Sequence, residues 1–204
     1  MKFQVSAKDK KALCRQAPEF REVVRRIELD GFECNGDLFH ALVQSIISQQ
    51  LSIKAADTIY NRVEQLLGTI TAENLKSAAV EDLRACGLSA RKIEYLRGIA
   101  DAVLSGRIDF AALARLPDEE IMKELVKLKG VGEWTAEMLL IFALGRPDVL
   151  SFKDLGIRRG IMLLNKLEKL TEEDFEVYRK RYSPYGTLAS LYLWRIKDGG
   201  LSVK

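Results

Sequence analysis

The chain has 204 residues, of which 48% are hydrophobic and 30% charged, a composition typical of a globular protein that excludes a disordered one. Its 32 basic and 29 acidic side chains leave a net charge of +3, too small by itself to indicate a nucleic-acid partner. Its three cysteines are scattered, which argues against a disulfide framework, and no C-x-x-C pair suggests a zinc or iron–sulfur site.

Neither the N-terminal segment nor the longest uncharged stretch indicates a membrane protein. The N-terminal segment "MKFQVSAKDKK" contains no apolar signal sequence. The longest run without Asp, Glu, Lys or Arg, Leu38 to Ile53, is too short to cross a bilayer and includes several polar side chains. We therefore expect a cytoplasmic protein with no membrane partner.

Helical periodicity begins near Pro18 and continues along most of the chain. In "PEFREVVRRIEL", Pro18 suits the first turn of a helix, and the apolar residues that follow share one stripe: Phe20, Val23, Val24 and Ile27. Asp37 is a predicted N-cap for "LFHALVQSIISQQ". Ser52 is a predicted N-cap for the next helix, which Gly68 ends.

The second half of the chain has the same character. Thr71 opens "TAENLKSA", and Ser89 caps a helix that ends near Gly106. Pro117 precedes acidic residues in the first turn of "LPDEEIMKELVKLKG", where they suit the helix dipole. Four more periodic segments follow: "EWTAEMLLIFALG", "DLGIRRGIMLLNKL", "TEEDFEVYRKRY" and "GTLASLYLWRIK". With about ten or eleven helices and almost no strand signal, the predicted fold class is all-α.

The segment "LKGVG", residues 128–132, joins two of these helices through a pair of glycines. Because glycine has no Cβ, Gly130 and Gly132 permit a very tight turn. The first amides of the next helix, near Glu133 and Trp134, would then point outward and, with the helix dipole, suit a phosphate. A plain αα-hairpin with a glycine C-cap explains the same residues.

Basic residues near other predicted loops favour the first interpretation. Lys54, Arg91, Lys92, Arg158 and Arg159 each follow or precede a loop. Each cluster alone is typical of a solvated surface. Together with a hairpin suited to phosphate, they indicate a face that contacts a nucleic-acid backbone.

Asp154 lies about 20 residues after the hairpin, immediately before "LGIRRGIMLL". On local sequence alone it is an N-cap for that helix. A carboxylate at a helix start can also face a ligand, so capping and chemistry do not exclude each other.

Several ordered motifs together resemble one family. "LKGVGEWTAEMLL" followed by "SFKDLGIRR" resembles the helix–hairpin–helix and catalytic aspartate of the DNA glycosylase superfamily, and is most similar to its 3-methyladenine DNA glycosylase II branch, which removes alkylated bases. The resemblance covers most of the chain, from "FHALVQSIISQQLSIKAA" through "LSARKIEYLRGIA" to "YSPYGTLASLYLWRI".

The resemblance implies two helical lobes with a DNA-binding cleft between them. Residues 36–125 would form the central lobe. Residues 1–35 and 126–204 would form the second lobe, which would contain the helix–hairpin–helix (126–145) and the catalytic aspartate. It also implies a monomer whose partner is double-stranded DNA containing alkylated bases.

Asp154 is the catalytic residue that the resemblance implies. Cleavage of an N-glycosidic bond develops positive charge on the deoxyribose, which a fixed anion stabilises. The same carboxylate could orient the attacking water. A single carboxylate suffices for 3-methyladenine and 7-methylguanine, because these bases already carry a positive charge and leave readily.

Trp134 distinguishes hydrolysis from strand cleavage. In bifunctional relatives, the residue two past the second hairpin glycine is a lysine that forms a Schiff base with the sugar. Here that residue is Trp134, so the resemblance implies a monofunctional glycosylase that leaves an abasic site. An indole also attracts a cationic base, and the predicted base pocket comprises Trp134, Met138, Leu155 and Trp194.

The target base must leave the duplex, and a side chain must fill the gap. "SQQLS" resembles the family's minor-groove wedge loop, although an ordinary polar helix end would look similar. The predicted DNA contacts are Gln50, Leu51, Lys54, Gly130, Gly132, Thr135 and Arg158.

No cofactor is expected apart from a structural monovalent cation. The resemblance implies a structural Na⁺ or K⁺ in the hairpin, held by backbone carbonyls of Val126, Leu128 and Val131. The iron–sulfur cluster of a related branch is not expected, because no cysteine follows Cys86. Relatives often carry "P-x-D-D" before the catalytic acid, whereas this chain has Ser151 and Lys153.

Two other functions remain open on sequence. A non-catalytic helix–hairpin–helix DNA-binding module would explain the hairpin and the basic residues, but would give Asp154 and Trp134 no role. A glycosylase for oxidised or mismatched bases would use the same residues with a different pocket.

Overall fold

The structure, a computed structural model, describes residues 2–200 and is built almost entirely of helices. Two short strands, β1 (Lys2–Phe3) and β2 (Phe32–Glu33), pair antiparallel with Phe3 opposite Phe32. Within the described residues there are thirteen α-helices: α1 Ala7–Gln16, α2 Phe20–Arg26, α3 Leu38–Ser48, α4 Ile53–Leu67, α5 Ala72–Ser77, α6 Val80–Ala85, α7 Ala90–Leu104, α8 Phe110–Leu113, α9 Asp118–Leu125, α10 Glu133–Phe142, α11 Leu155–Asn165, α12 Glu172–Tyr182 and α13 Gly186–Arg195. A π-helical turn, Ile196–Gly200, follows. The all-α prediction is confirmed.

Three helices were not among the predicted segments, for two physical reasons. α6 and α8 have only 6 and 4 residues, too few to display a 3.6-residue period. α1, "AKDKKALCRQ", is strongly polar, and Leu13 is its one buried residue, so no apolar stripe marks it. None of the helices in residues 2–200 combines the length and apolar character required of a bilayer-spanning segment.

The predicted caps agree with the structure at most helix starts. The side chains of Asp37, Ser52, Thr71 and Ser89 each accept a hydrogen bond from the backbone amide three residues later. Each cap satisfies one of the first-turn donors that have no partner within the helix. Pro18 differs from the prediction, because it lies in a turn two residues before α2 begins.

The chain divides into two compact units. The central unit comprises residues 36–139, and the terminal unit comprises residues 1–35 and 140–204. The predicted boundary at residue 125 differs from this division, because the hairpin packs on α7 and on the end of α3, which belong to the central unit. α10 begins in the central unit, and its last three residues belong to the terminal unit.

Each unit has its own apolar core. In the terminal unit, α1, α2, α11, α12 and α13 contribute a cluster that includes Phe20, Phe175, Tyr182 and Tyr192. The predicted α2 stripe faces this core. In the central unit, α3 and α7 supply most of the fully buried side chains, among them Leu42, Ile46 and Leu96. Burial on this scale is the main source of stability of both units.

Candidate active site

Asp154 is a buried carboxylate at the start of α11. Only 8% of its surface is exposed. Its Oδ1 accepts a hydrogen bond from the backbone amide of Ile157 at 2.8 Å and a second from the indole Nε1 of Trp194 at 3.0 Å. The capping predicted from sequence is therefore observed, and the α11 dipole favours an anion at this position. These donors stabilise the carboxylate and fix its orientation.

Two glycines on α11 allow the indole to reach the carboxylate. Gly156 and Gly160 are four residues apart and so share one face of the helix. A methyl group at Gly156 would lie 2.9 Å from Cδ1 of Trp194 and 3.1 Å from Oδ1 of Asp154. At Gly160 it would lie 2.7 Å from Cβ of Leu193. The close packing of α13 on α11 thus depends on the missing side chains.

Phe142 extends the aromatic surface beside the acid, and sequence reasoning did not single it out. Its ring stacks on that of Trp194, with centroids 5.8 Å apart and planes at 18°. The ring centroid of Phe32 lies 5.3 Å from that of Phe142, with the planes tilted by 52°. Phe142 is exposed although it is a large apolar residue. A planar ligand beside Trp194 would therefore meet an existing aromatic surface.

Two further predicted residues lie close to Asp154 in sequence on α11. Leu155, a predicted pocket residue, is the first residue of the helix and is exposed. Arg158, a predicted DNA contact, is half-buried and places its guanidinium 5.1 Å from the ring centroid of Phe152. The Lys153 ammonium lies 5.9 Å from the same centroid. The terminal unit therefore carries one cation directly before Asp154 in sequence and a second four residues after it.

The hairpin turns sharply at Gly130, in the central unit. Gly130 has φ +91°, a conformation that residues with a Cβ rarely adopt. A methyl group there would lie 2.6 Å from Cγ of Tyr95, so the ring of α7 packs directly on the turn. The Gly132 carbonyl accepts a hydrogen bond from the backbone amide of Ala136, which closes the first turn of α10. A methyl group at Gly132 would meet nothing within 4 Å.

The start of α10 contains three predicted site residues in different environments. Trp134 is exposed, and Met138, one turn later on the same face, is half-buried. Thr135 is only 5% exposed. Its side chain is thus buried, and the DNA contact predicted for Thr135 stays a prediction.

The turn between α3 and α4 carries the predicted wedge residues. Gln50 is exposed and has φ +59°, a strained value for a residue other than glycine, which costs about 1–2 kcal/mol. Leu51 and Ile53 are exposed, Ile53 to 83%. Lys54, on the first turn of α4, is exposed as well. An exposed apolar pair beside a strained glutamine is unusual on a solvent-facing turn.

The comparisons with known proteins agree on one family. The model of the HhH-GPD superfamily of base excision DNA repair proteins matches residues 43–184. The chain belongs to that superfamily. Its helix–hairpin–helix is the "LKGVG" turn with its flanking helices α9 and α10.

The relatives are named as glycosylases. The chain is 40% identical to DNA-3-methyladenine glycosylase 1 of Schizosaccharomyces pombe over 162 residues, which are 77% of this chain and 71% of that protein. It resembles the crystal structure of a Bacillus halodurans DNA-3-methyladenine glycosidase with a TM-score of 0.83 and 38% identity, covering 97% and 92% of the two chains. A Schizosaccharomyces pombe 3-methyladenine DNA glycosylase in complex with abasic DNA gives a TM-score of 0.77 and 34% identity, covering 94% and 97%. This HhH-GPD protein is accordingly a DNA glycosylase of base excision repair.

The predicted site residues fall into both units. Asp154, Leu155, Arg158 and Trp194 belong to the terminal unit, where Asp154 and Trp194 are in direct contact. The others belong to the central unit: Gln50, Leu51, Lys54, Val126, Leu128, Gly130, Val131, Gly132, Trp134, Thr135 and Met138. Their assigned roles remain predictions, as does the monomeric state.

Proposed function

We propose that the protein is a monofunctional DNA glycosylase of the type II class, which releases alkylated purines such as 3-methyladenine and 7-methylguanine from duplex DNA. The observation that carries the proposal is the buried carboxylate of Asp154, oriented by an amide and an indole. The names of the relatives support the same substrate class.

The proposed reaction requires one anion and one water. The bond between C1′ of the deoxyribose and the purine nitrogen breaks, and the electron pair leaves with the base, which becomes neutral if it was methylated and cationic. Asp154 stabilises the positive charge that develops on the sugar. Water then forms the new bond to C1′, and its proton passes to the carboxylate or to solvent. The product is an abasic site in an intact strand.

The tryptophan at position 134 supports hydrolysis without strand cleavage, because an indole has no amine that could form a Schiff base. The exposed ring of Trp134 is a candidate for contact with a cationic base. Cation–π attraction to one such ring is worth about 0.5–2 kcal/mol.

We also propose that backbone carbonyls of Val126, Leu128 and Val131 hold a monovalent cation in the hairpin. Carbonyl oxygens suit hard cations. The Leu128 carbonyl accepts the Val131 amide at 3.0 Å, and its second lone pair can serve a cation. Such an ion would stiffen the turn, and its contribution to the chemistry would be structural.

Product analysis tests the function. A panel of duplexes, each with one methylated, oxidised or mismatched base, should show release of the methylated purines only. The labelled strand should stay intact until heated in alkali, and sodium borohydride should trap no covalent complex. A borohydride-trapped complex, or a strand cut without alkali, would contradict the monofunctional assignment. Binding with no base release would favour the DNA-binding module instead.

Trp194→Phe should reduce the rate of base release by about 10-fold or more, because it removes a hydrogen bond to a charged group while keeping an aromatic ring in place. Single-turnover kinetics should place the loss in the rate constant rather than in the apparent affinity. Equal losses in both would show that Trp194 acts by binding the base and not by orienting Asp154.

A further inference from the structure

A lysine lies behind the turn between α3 and α4, within the central unit. The Lys92 ammonium, on the first turns of α7, donates to the backbone carbonyls of Ile47 at 2.7 Å and Gln49 at 2.8 Å. It is half-buried, and no carboxylate among residues 2–200 pairs with it. Partial burial lowers the pKa of the Lys92 ammonium, and its hydrogen bonds to the two carbonyls replace part of its hydration.

The two carbonyls lie at the C-terminal end of α3, which explains why a cationic side chain binds them. α3 ends at Ser48, and the last carbonyls of a helix have no partner within it and lie at the negative end of its dipole. Lys92 supplies both a donor and a positive charge there. Its neighbour Arg91 is exposed, and the main chain of Lys92 is itself fixed by the Ser89 cap at the start of α7.

A second hydrogen bond, made by the Gln49 side chain, holds the same turn. The side-chain amide of Gln49 donates to the carbonyl of Gly130 at 3.0 Å, which links the turn to the hairpin. Gln50, which directly follows the residue held by both attachments, has a left-handed backbone. A strained conformation persists only where the surrounding structure enforces it, and such conformations concentrate at functional sites.

We propose that Lys92 is a positioning residue, which holds the Gln49–Ser52 turn so that Gln50 and Leu51 project into the duplex and fill the space left by the extruded base. This inference rests on the proposed function. The ammonium contacts the protein backbone, not DNA. Lys92 therefore differs in role from Lys54 and Arg158, the predicted contacts to DNA.

A fluorescence assay that needs no catalysis tests the inference directly. The probe is a duplex with a tetrahydrofuran abasic analogue and 2-aminopurine in the opposite strand. Wild-type protein at saturation should raise the 2-aminopurine fluorescence by unstacking it, and Lys92→Met should lose at least half of that increase. Lys92→Arg should recover most of it, because a guanidinium can reach both carbonyls. An undiminished increase with Lys92→Met would overturn the inference.

Two further readouts separate positioning from other roles. In a background of Gln50→Ala with Leu51→Ala, the added Lys92→Met change should slow base release less than 2-fold, against about 10-fold in the wild type, because the projecting side chains are already absent. Equal slowing in both backgrounds would show a general structural role.

The salt dependence of DNA binding is the second of these readouts. If Lys92 contacted a phosphate, Lys92→Met would lower the slope of log affinity against log salt concentration by about 1, whereas loss of a positioning residue leaves the slope unchanged.

Lys11→Met is the matched control, since it removes the same charge from an exposed position on α1. It should leave all three readouts at the wild-type level. If the wild type released no methylated purine, the proposed function would fail. The fluorescence assay would still decide the role of Lys92.

Discussion

Asp154→Asn is expected to lower the release of 3-methyladenine and 7-methylguanine by about 1,000-fold or more, while the affinity for DNA is kept or increased. The substitution removes the negative charge that would stabilise the sugar cation in a site sheltered from water. The affinity for DNA is retained because the proposed phosphate-binding site lies in the hairpin and is unchanged. It can increase because loss of the carboxylate charge reduces repulsion of the DNA backbone.

The fold should tolerate this change. Asparagine is as good an N-cap as aspartate, and its side-chain oxygen can still accept from the Ile157 amide and the Trp194 indole. The melting temperature should therefore change little, and any loss of activity can be assigned to charge. Single-turnover release from methylated duplex and fluorescence anisotropy with undamaged duplex are the two measurements.

Asp109→Asn provides a matched control. Asp109 caps α8 by accepting from the amides of Ala111 and Ala112, so the same chemical change is made at another capping aspartate. It is exposed and lies outside the candidate site. Its variant should release bases at the wild-type rate. Unchanged release by Asp154→Asn would exclude the role assigned to that residue.

Gly130→Ala is expected to destabilise the protein by about 2–4 kcal/mol. The added methyl would sit in the space of the Tyr95 ring, and alanine would also be strained at φ +91°. For a chain of this length the melting temperature should fall by about 4–16 °C. Because the turn also places the first amides of α10, affinity for duplex DNA should fall by about 10-fold or more.

Gly132→Ala is the control that shows whether the loss of stability arises from the contact with Tyr95 and the positive φ at Gly130. It adds the same methyl two residues later, where nothing lies within 4 Å and φ is not positive. Its melting temperature should stay close to that of the wild type. Thermal denaturation of both variants, with anisotropy on an undamaged duplex, compares them. A stable, tightly binding Gly130→Ala variant would mean that the turn can relax away from Tyr95.

Much of the local structure could be predicted from the sequence, because helix caps depend on nearby residues. Asp37, Ser52, Thr71 and Ser89 act within one turn of their own positions. The same logic identified Asp154 as a cap, and the family resemblance identified it as the acid. Short or polar helices such as α8 and α1 carry no comparable signal.

The missed features depend on contacts distant in sequence. The indole of Trp194 donates to a carboxylate 40 residues away, and nothing in either segment indicates that bond. Lys92 was noted as a basic surface residue, yet its partners lie 43 and 45 residues earlier. Phe142 did leave a trace, since it follows Met138 at the same four-residue interval that separates Met138 from Trp134.

The two glycines of α11, Gly156 and Gly160, determine which positions around Asp154 can be substituted and which cannot. At Gly156 and Gly160 even one carbon would push α13 away, so neither position can be used to adjust which lesion is accepted. Leu155 is exposed and can change size without disturbing that helix pair, whereas Phe142 stacks on Trp194 of α13. Selection in the laboratory for a new damaged base should therefore begin with a library at Leu155 and leave both glycines untouched.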